Sequence, residues 1–245
     1  MNGSFYDYCL LQGLWDFVRA GQEEILLSPY LPASCAFLTH VLMCVPFFFL
    51  DMLSCVSSRI RSWRIASVPC RAYVTVVLPV TALLQCVLRS PVLPQRAPSL
   101  YGVCVQVLAS SLLFDALFFV WHFSMHRFPW LYRTVHQQHH KNQAPIALAA
   151  QDASSLELLS LLVLALVSAQ VVGCHPLSEA LFHLVNSWLA VQDHCGYDFP
   201  WGLHRLLPSL GLGGAPFHQQ HHTKHRGNYA PYFTHWDRLF GTYRC

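Results

Sequence analysis

Five apolar stretches constrain this chain more than any other feature, running from about Ala33 to Leu53, Ala72 to Leu88, Leu100 to Val120, Leu156 to Val172 and Leu177 to Val191. A helix needs ~20 apolar residues to cross the hydrocarbon of a bilayer, and several stretches fall short of that. Two or three complete spans, with shorter buried or re-entrant helices between them, are therefore expected. Charge agrees: Asp, Glu, Lys and Arg make up 11% of the residues and apolar types 54%, whereas an ordinary soluble domain carries about 25% charged residues. There is too little polar surface to cover a soluble globule, so a bilayer must supply much of the solvent. The expected fold class is an all-α integral membrane protein, built of transmembrane helical hairpins with a histidine-rich di-metal helical region on the cytosolic side.

No fixed-period repeat is present among the 245 residues, and one folding unit is expected. Within it, residues 1–32 form a lumenal N-terminal segment, 33–121 the transmembrane helices, and 122–245 a catalytic region that includes a second apolar hairpin, 156–191. Pro29 and Pro32 break the chain before the first stretch, and Pro91, Pro94 and Pro98 before the third, because a fixed φ and a missing N–H interrupt a helix. The net charge of +3 is weak and scattered, which excludes a nucleic-acid surface. Cysteines such as Cys35, Cys44, Cys86 and Cys104 lie in apolar segments without CxxC spacing and read as buried free thiols. Asp16, Glu23 and Glu24 interrupt the first thirty residues, so no cleaved signal peptide is expected there.

Orientation is set by the basic loops. Arg59, Arg61, Arg64 and Arg71 sit between the first two stretches, and the positive-inside bias places that loop in the cytosol. The N-terminus is then lumenal, which exposes Asn2 of the Asn2-Gly3-Ser4 sequon as a glycosylation candidate. Two successive hairpins return the chain to the cytosol near His122 and near His194, beside Arg127, Arg133, Lys141, Arg205, Lys224 and Arg226.

Eight of the fifteen histidines fall in three short windows: His122 and His126 in WHFSMH, His136, His139 and His140 in HQQHH, and His218, His221 and His222 in a second HQQHH. Residues three or four apart on a helix share a face with Cβ atoms ~5–6 Å apart, so each window can aim its imidazoles at a common point. Imidazole suits Zn, Cu, Fe and Ni alike, and eight ligands exceed the needs of one ion, so two ions are implied. The Glu-plus-ExxH arrangement of carboxylate-bridged bundles is missing, as is HExxH. Single histidines are ordinarily hydrogen-bonded surface groups. His40, His175 and His235 are read that way, whereas His183, His204 and His225 are intermediate and His225 could fix a ligand's tautomer.

These windows, together with QDHCGYDFPW at Gln192–Trp201, HRLLP at His204–Pro208 and NYAPYFTHWDRLFGT at Asn228–Thr242, resemble the fatty acid hydroxylase/sterol desaturase superfamily. So do FPWLYRTVHQQHH, GCHPL and the region of Pro46 and Asp51. The resemblance implies that His122, His126, His136, His139, His140, His218, His221 and His222 are catalytic metal ligands, and it adds His194 as a further ligand. The chain departs from the pattern at Phe217 and Gln219-Gln220, positions often filled by histidine and an acid; the ligand spacing survives there.

The resemblance also implies a sterol hydroxylase using two Fe ions, O₂ as co-substrate and electrons from outside. Oxidising an unactivated C–H bond is beyond acid–base groups or redox-inert zinc, so the activity requires iron. Gly211, Gly213 and Gly214 lack the strand–turn–helix setting of a dinucleotide site. The superfamily instead implies cytochrome b5 or an NADPH-linked reductase as donor, and the endoplasmic reticulum membrane as location, no KDEL-type signal being present. Trp121, Trp130, Tyr132, Trp188, Tyr197 and Trp201 could line the lipid's route, although an interfacial belt is the plainer account of such residues. Oxidation of C4-methyl sterols, fatty-acid hydroxylation and sterol desaturation run on the same scaffold. A metal transporter would carry its histidines at mid-membrane with acidic partners, and a catalytically inactive sterol- or metal-binding membrane protein would keep the boxes without turnover.

Overall fold

The computed structural model describes residues 3–28, 30–54, 56–63, 93–141, 147, 150 and 152–244. The expected stretch Ala72–Leu88 lies outside the described residues, as do Asn2, Pro29, Arg64, Arg71, Cys86 and Pro91. The longest helices among those described are α1 (Gly3–Arg19), α2 (Tyr30–Ser54), α3 (Leu100–Arg127), α4 (Ser155–Val172), α5 (Pro176–His194) and α6 (Gly214–Lys224). No extended strand occurs among the described residues.

Local chemistry sets the boundaries. Ser99 starts α3 by accepting the Gly102 N–H at 3.0 Å, and the helix stops at Phe128, whose backbone is extended ahead of Pro129, because the residue before proline avoids the α region. Ser154 caps α4 through the Glu157 N–H at 3.1 Å. Gly173 closes α4 at φ 70°, a left-handed geometry that favours glycine. Pro176 then opens α5, where its missing N–H costs nothing, while His175 Nδ1 accepts the Leu177 N–H at 3.1 Å. Pro32 sits in the first turn of α2 and Pro46 in its interior, so neither ends that helix. α3 continues beyond the apolar stretch that ended at Val120 and carries His122 and His126 on the same rigid rod.

α5 is the central element, touching α2, α3 and α6, while α3 also packs on α4. Phe114, Ala165, Ala169, Phe182 and Tyr232 form the core between α3, α4 and α5, and the two alanines allow close approach of the backbones. The outer faces are apolar: α3 and α4 are long and apolar enough to cross a membrane, yet only 28% of each one's most apolar window is buried inside the molecule. That is the pattern of a rod surrounded by lipid. The thiols divide accordingly. Cys44 and Cys195 are buried, but Cys35 and Cys104 are exposed, which corrects the expectation of uniformly buried thiols; a small, weakly polar side chain is as compatible with lipid as with a core.

The bundle has two distinct ends. At one, the Gln106 side chain accepts the His175 N–H at 3.2 Å, and Trp15 of α1 donates to the Pro94 carbonyl at 2.7 Å. At the other, ~24 Å along α3 at ~1.5 Å per residue, His122 meets His136 and α5 delivers His194. The C-terminal end of α2 is fastened there too: Tyr197 donates its hydroxyl to Asp51 at 2.6 Å, and the Asp198 N–H bonds the Trp63 carbonyl at 2.7 Å. The Arg59–Arg61 turn therefore lies at the histidine end, and α1 at the opposite one.

Candidate metal centre

The histidines of the three boxes, joined by His194, gather into two groups. His122, His126, His136, His140 and His221 form one; His139, His194, His218 and His222 form the other, and within each group the facing ring atoms all lie within 4.8 Å of one another. The expectation that each box would aim at a single point is thereby corrected for the second and third boxes, which are shared between the groups. Helix geometry explains the division at the third box. Successive residues are rotated by ~100°, so His218 and His222, four apart, lie nearly above one another, while His221 is turned ~100° away from His222. The rings of His221 and His222 stand at 84°. The second box achieves the same split without a continuous α-helix: a π-turn, Tyr132–His136, is followed by a 3₁₀ turn, His139–Lys141, and the His139 and His140 rings stand at 83°.

The outward nitrogens fix the tautomers. His122 Nδ1 contacts the Tyr229 carbonyl at 2.7 Å, His194 Nδ1 the Ala190 carbonyl at 2.7 Å and His221 Nδ1 the Gly227 carbonyl at 2.8 Å. A carbonyl only accepts, so each Nδ1 carries the hydrogen and each inward Nε2 presents a bare lone pair. His136 Nδ1 donates in the same way to Glu157 Oε1 at 2.7 Å. Inside the first group, His140 Nε2 lies 2.9 Å from that of His136 and 3.1 Å from those of His126 and His221. One ring nitrogen cannot make three hydrogen bonds, and converging lone pairs repel unless a cation stands between them. Two nitrogens bound at right angles ~2.1 Å from a metal are ~3.0 Å apart; in the second group the chain of contacts His139–His194–His218–His222 runs at 3.2, 3.0 and 3.0 Å. Both donor sets fit a metal ion.

Burial supports the same protonation state. It lowers the basicity of His136, His140, His218, His221 and His222 well below the ordinary imidazole range, and neighbouring imidazoles lower it further. His139 is brought down to about 4, again by burial. Neutral rings are the form that ligates metal.

Residues outside the boxes hold the constellation in place. Asp237, in the terminal WDRLFGT, accepts the N–H groups of Tyr229 and Ala230 at 2.8 Å each and the Thr242 hydroxyl at 2.6 Å. It thereby pins the carbonyl that orients His122. Asp115, within α3, accepts the Tyr232 and Phe233 N–H groups at 2.9 and 3.1 Å and fastens the same segment to the span. Sequence reasoning missed Glu157, Asp115 and Asp237 as supporting groups. The available signal was an acid standing alone in each of two apolar runs, SLELLSLL and LLFDALFF.

The departures from the family pattern point away from the ion-facing side. Phe217 stacks on Tyr243 at 5.9 Å, Gln220 accepts from Asn228 at 2.9 Å and Gln219 donates to Thr223 at 3.3 Å. His225 packs against His140 at 4.5 Å, but its Nδ1 meets the Tyr132 hydroxyl at 3.3 Å and its buried Nε2 has no partner among the described residues. It does not fix a ligand's tautomer by a hydrogen bond. His204 pairs with Asp198 at 3.0 Å, His40 contacts Cys44 at 3.6 Å and His183 lies 3.7 Å from Glu179, all outside the two groups.

A cavity of about 900 Å³ opens on both groups, with His122, His136, His139, His194 and His218 in its wall. Its aromatic lining comes from Trp15, Phe114, Phe118 and Tyr232. None of the six aromatics expected from sequence to line a lipid's route does so; Trp130, Trp188 and Trp201 are exposed, as an interfacial belt requires.

Comparison with known proteins agrees with this geometry. The fatty acid hydroxylase family profile matches residues 107–242. Cholesterol 25-hydroxylase of Rattus norvegicus is 43% identical, covering 96% of this chain and 83% of its own length, and that of Homo sapiens is 43% identical, covering 96% and 90%. A cholesterol 25-hydroxylase-like protein of Danio rerio is 42% identical over 95% of this chain and 97% of its own length. No solved structure gives a significant match. A profile spanning more than half of the chain, and relatives this similar across nearly all of it, make the chain a member of the fatty acid hydroxylase family.

Proposed function

We propose that this chain is a membrane monooxygenase that hydroxylates a sterol, converting cholesterol to 25-hydroxycholesterol. The observation that carries the reading is a largely apolar cavity, bounded by α3, α4 and α5, that ends on both histidine groups. The names of the relatives supply the substrate and the carbon. His122, His126, His136, His140 and His221 would hold one iron, and His139, His194, His218 and His222 the other. Iron bound there supplies the redox chemistry for inserting one atom of O₂ into an unactivated C–H bond, the second atom leaving as water with two electrons and two protons.

The chain's own residues do the rest. Glu157 and the carbonyls of Tyr229, Gly227 and Ala190 hold the ligand rings in the Nε2-bare tautomer. Phe114, Phe118 and the α4 leucines in the cavity wall exclude water and align a flat apolar substrate. With no dinucleotide fingerprint in the sequence, electrons come from outside, from cytochrome b5 or an NADPH-linked reductase at the cytosolic surface. The reading places the protein in the endoplasmic reticulum membrane as a multi-pass protein, with histidines cytosolic and Asn2 lumenal.

Lipid mass spectrometry of cells expressing the chain, fed isotope-labelled cholesterol under ¹⁸O₂, tests the proposal. The expected product is 25-hydroxycholesterol carrying one ¹⁸O. Oxygen derived from water, or oxidation confined to C4-methyl sterols or fatty acids, overturns it.

A further inference from the structure

The cavity carries ionisable groups at both ends and is largely apolar between. Its walls follow single helix faces: Pro176, Glu179, His183, Ser187, Ala190 and His194 from α5, spaced three or four apart, mark one continuous stripe. At ~1.5 Å per residue, Glu179 lies ~22 Å and His183 ~17 Å along α5 from His194. Leu161, Leu162, Ala165 and Leu166 of α4 face the stripe midway.

Most polar groups at the far end are already engaged. His175 uses Nδ1 to cap α5 and Nε2 to reach the Arg96 carbonyl at 3.1 Å. Gln106 Oε1 accepts the His175 N–H, and Asn186 Oδ1 accepts the Tyr232 hydroxyl at 2.7 Å. Arg96 and Gln170 also line this end but are exposed, which leaves the half-buried pair Glu179 and His183 as the polar groups held inside it. Both line the cavity, and His183 Nε2 stands 3.7 Å from Glu179 Oε1, too far for a direct hydrogen bond. That gap suits a hydroxyl, which donates to a carboxylate and accepts from a ring N–H at once.

We propose that Glu179 and His183 receive the 3β-hydroxyl of the sterol, holding the ring system at this end so that the hydrocarbon tail reaches the histidine groups. The assignment rests on the sterol reading above and deepens it: the pair selects a ligand with a hydroxyl at one end and sets which carbon reaches the reaction end. Asp193 and Glu157, the other acids in the cavity wall, lie at the histidine end, beside His194 and His136.

The test compares purified wild-type protein with Glu179→Leu and Glu179→Gln. Substrates are cholesterol and 5-cholestene, which lacks the 3-hydroxyl, and binding of radiolabelled cholesterol is measured alongside turnover. Wild type is expected to show a KM for cholesterol about tenfold below that for 5-cholestene, the scale of a hydrogen bond to a charged group. Glu179→Leu is expected to raise KM and Kd for cholesterol about tenfold with kcat held, to leave 5-cholestene unchanged, and to be rescued in large part by Glu179→Gln, which keeps an acceptor. Equal losses on both sterols in Glu179→Leu, or a wild type indifferent to the hydroxyl, overturns the assignment while leaving sterol hydroxylation standing. A wild type that oxidises fatty acids but neither sterol overturns both.

Discussion

Glu157 is buried, and the one described hydrogen bond of its carboxylate comes from His136. Its carboxylate fixes the ring so that Nε2 faces the first histidine group, and outer partners of this kind contribute roughly 10–100-fold to metal affinity. Glu157→Ala is therefore expected to lower iron retention by about that factor against a chelator, while Glu157→Gln, whose amide oxygen still accepts the Nδ1 hydrogen, stays close to wild type. Iron content after chelator challenge measures this, and equal retention in wild type and Glu157→Ala removes Glu157 from the site. Acid has a related effect. His139 titrates near 4 in the folded protein against an ordinary 6.5, so folding favours the neutral ring. Its contribution to stability is full above about pH 6.5 and is lost as pH falls through about 4. Metal-free protein is accordingly expected to melt several degrees lower at about pH 5 than at about pH 7.5; a melting temperature unchanged between them contradicts a buried neutral ligand set. The lone acid in an apolar run singled out Glu157 without giving its partner, and the His139 environment had no sequence signal. An acid three residues after a serine looks like an ordinary helix start, and burial arises only from packing.

Helical rotation decides which of the two groups a histidine joins. His221 and His222 are adjacent in sequence but ~100° apart on α6, and they face different groups. Single substitutions should therefore separate. His221→Ala is expected to weaken one metal site and His222→Ala the other, each leaving close to one iron per chain, whereas the double substitution His221→Gln with His222→Gln abolishes oxysterol formation with membrane insertion intact. Metal counts on purified variants read this directly; loss of both irons from each single variant would show a single shared site. The spacing HxxHH marked these histidines as candidate ligands, but the division of one box between two groups was not read from it. The second box was less legible. Its π-turn and 3₁₀ turn are imposed where the chain leaves Pro129 and must still place His136 beside His122, a tertiary demand with no local signature. Four of the five apolar runs correspond to helices α2, α3, α4 and α5, while the end signals Ser99, Ser154, Gly173 and Pro176 emerged only from the structure.

The whole molecule is polarised along α3, which at 28 residues is ~42 Å long and exceeds the ~30 Å hydrocarbon core. α1 is docked at its beginning through Trp15 and Gln12, which bond the Pro94 and Gln95 carbonyls at 2.7 and 3.0 Å. The histidine groups stand at its other end, together with the Arg59–Arg61 turn that Tyr197 and Asp198 tie down. Arg127, Arg133, Lys141, Lys224 and Arg226 flank the histidine boxes in sequence. Basic side chains gathered at one end of a membrane-length rod are the feature on which the positive-inside bias acts, and their clustering was readable from sequence alone. The fastening of α2 to the Tyr197–Asp198 segment was not, because it joins residues 146 apart through one hydroxyl. On the orientation proposed above, α1 is lumenal and α6 cytosolic. An acceptor sequon appended ahead of Met1 on a flexible tether is expected to be glycosylated in microsomes, while a protease site inserted after Lys224 is cut from the outside of sealed vesicles. A tether left unmodified together with a protected loop would invert the topology, and would place the histidine groups out of reach of a cytosolic electron donor.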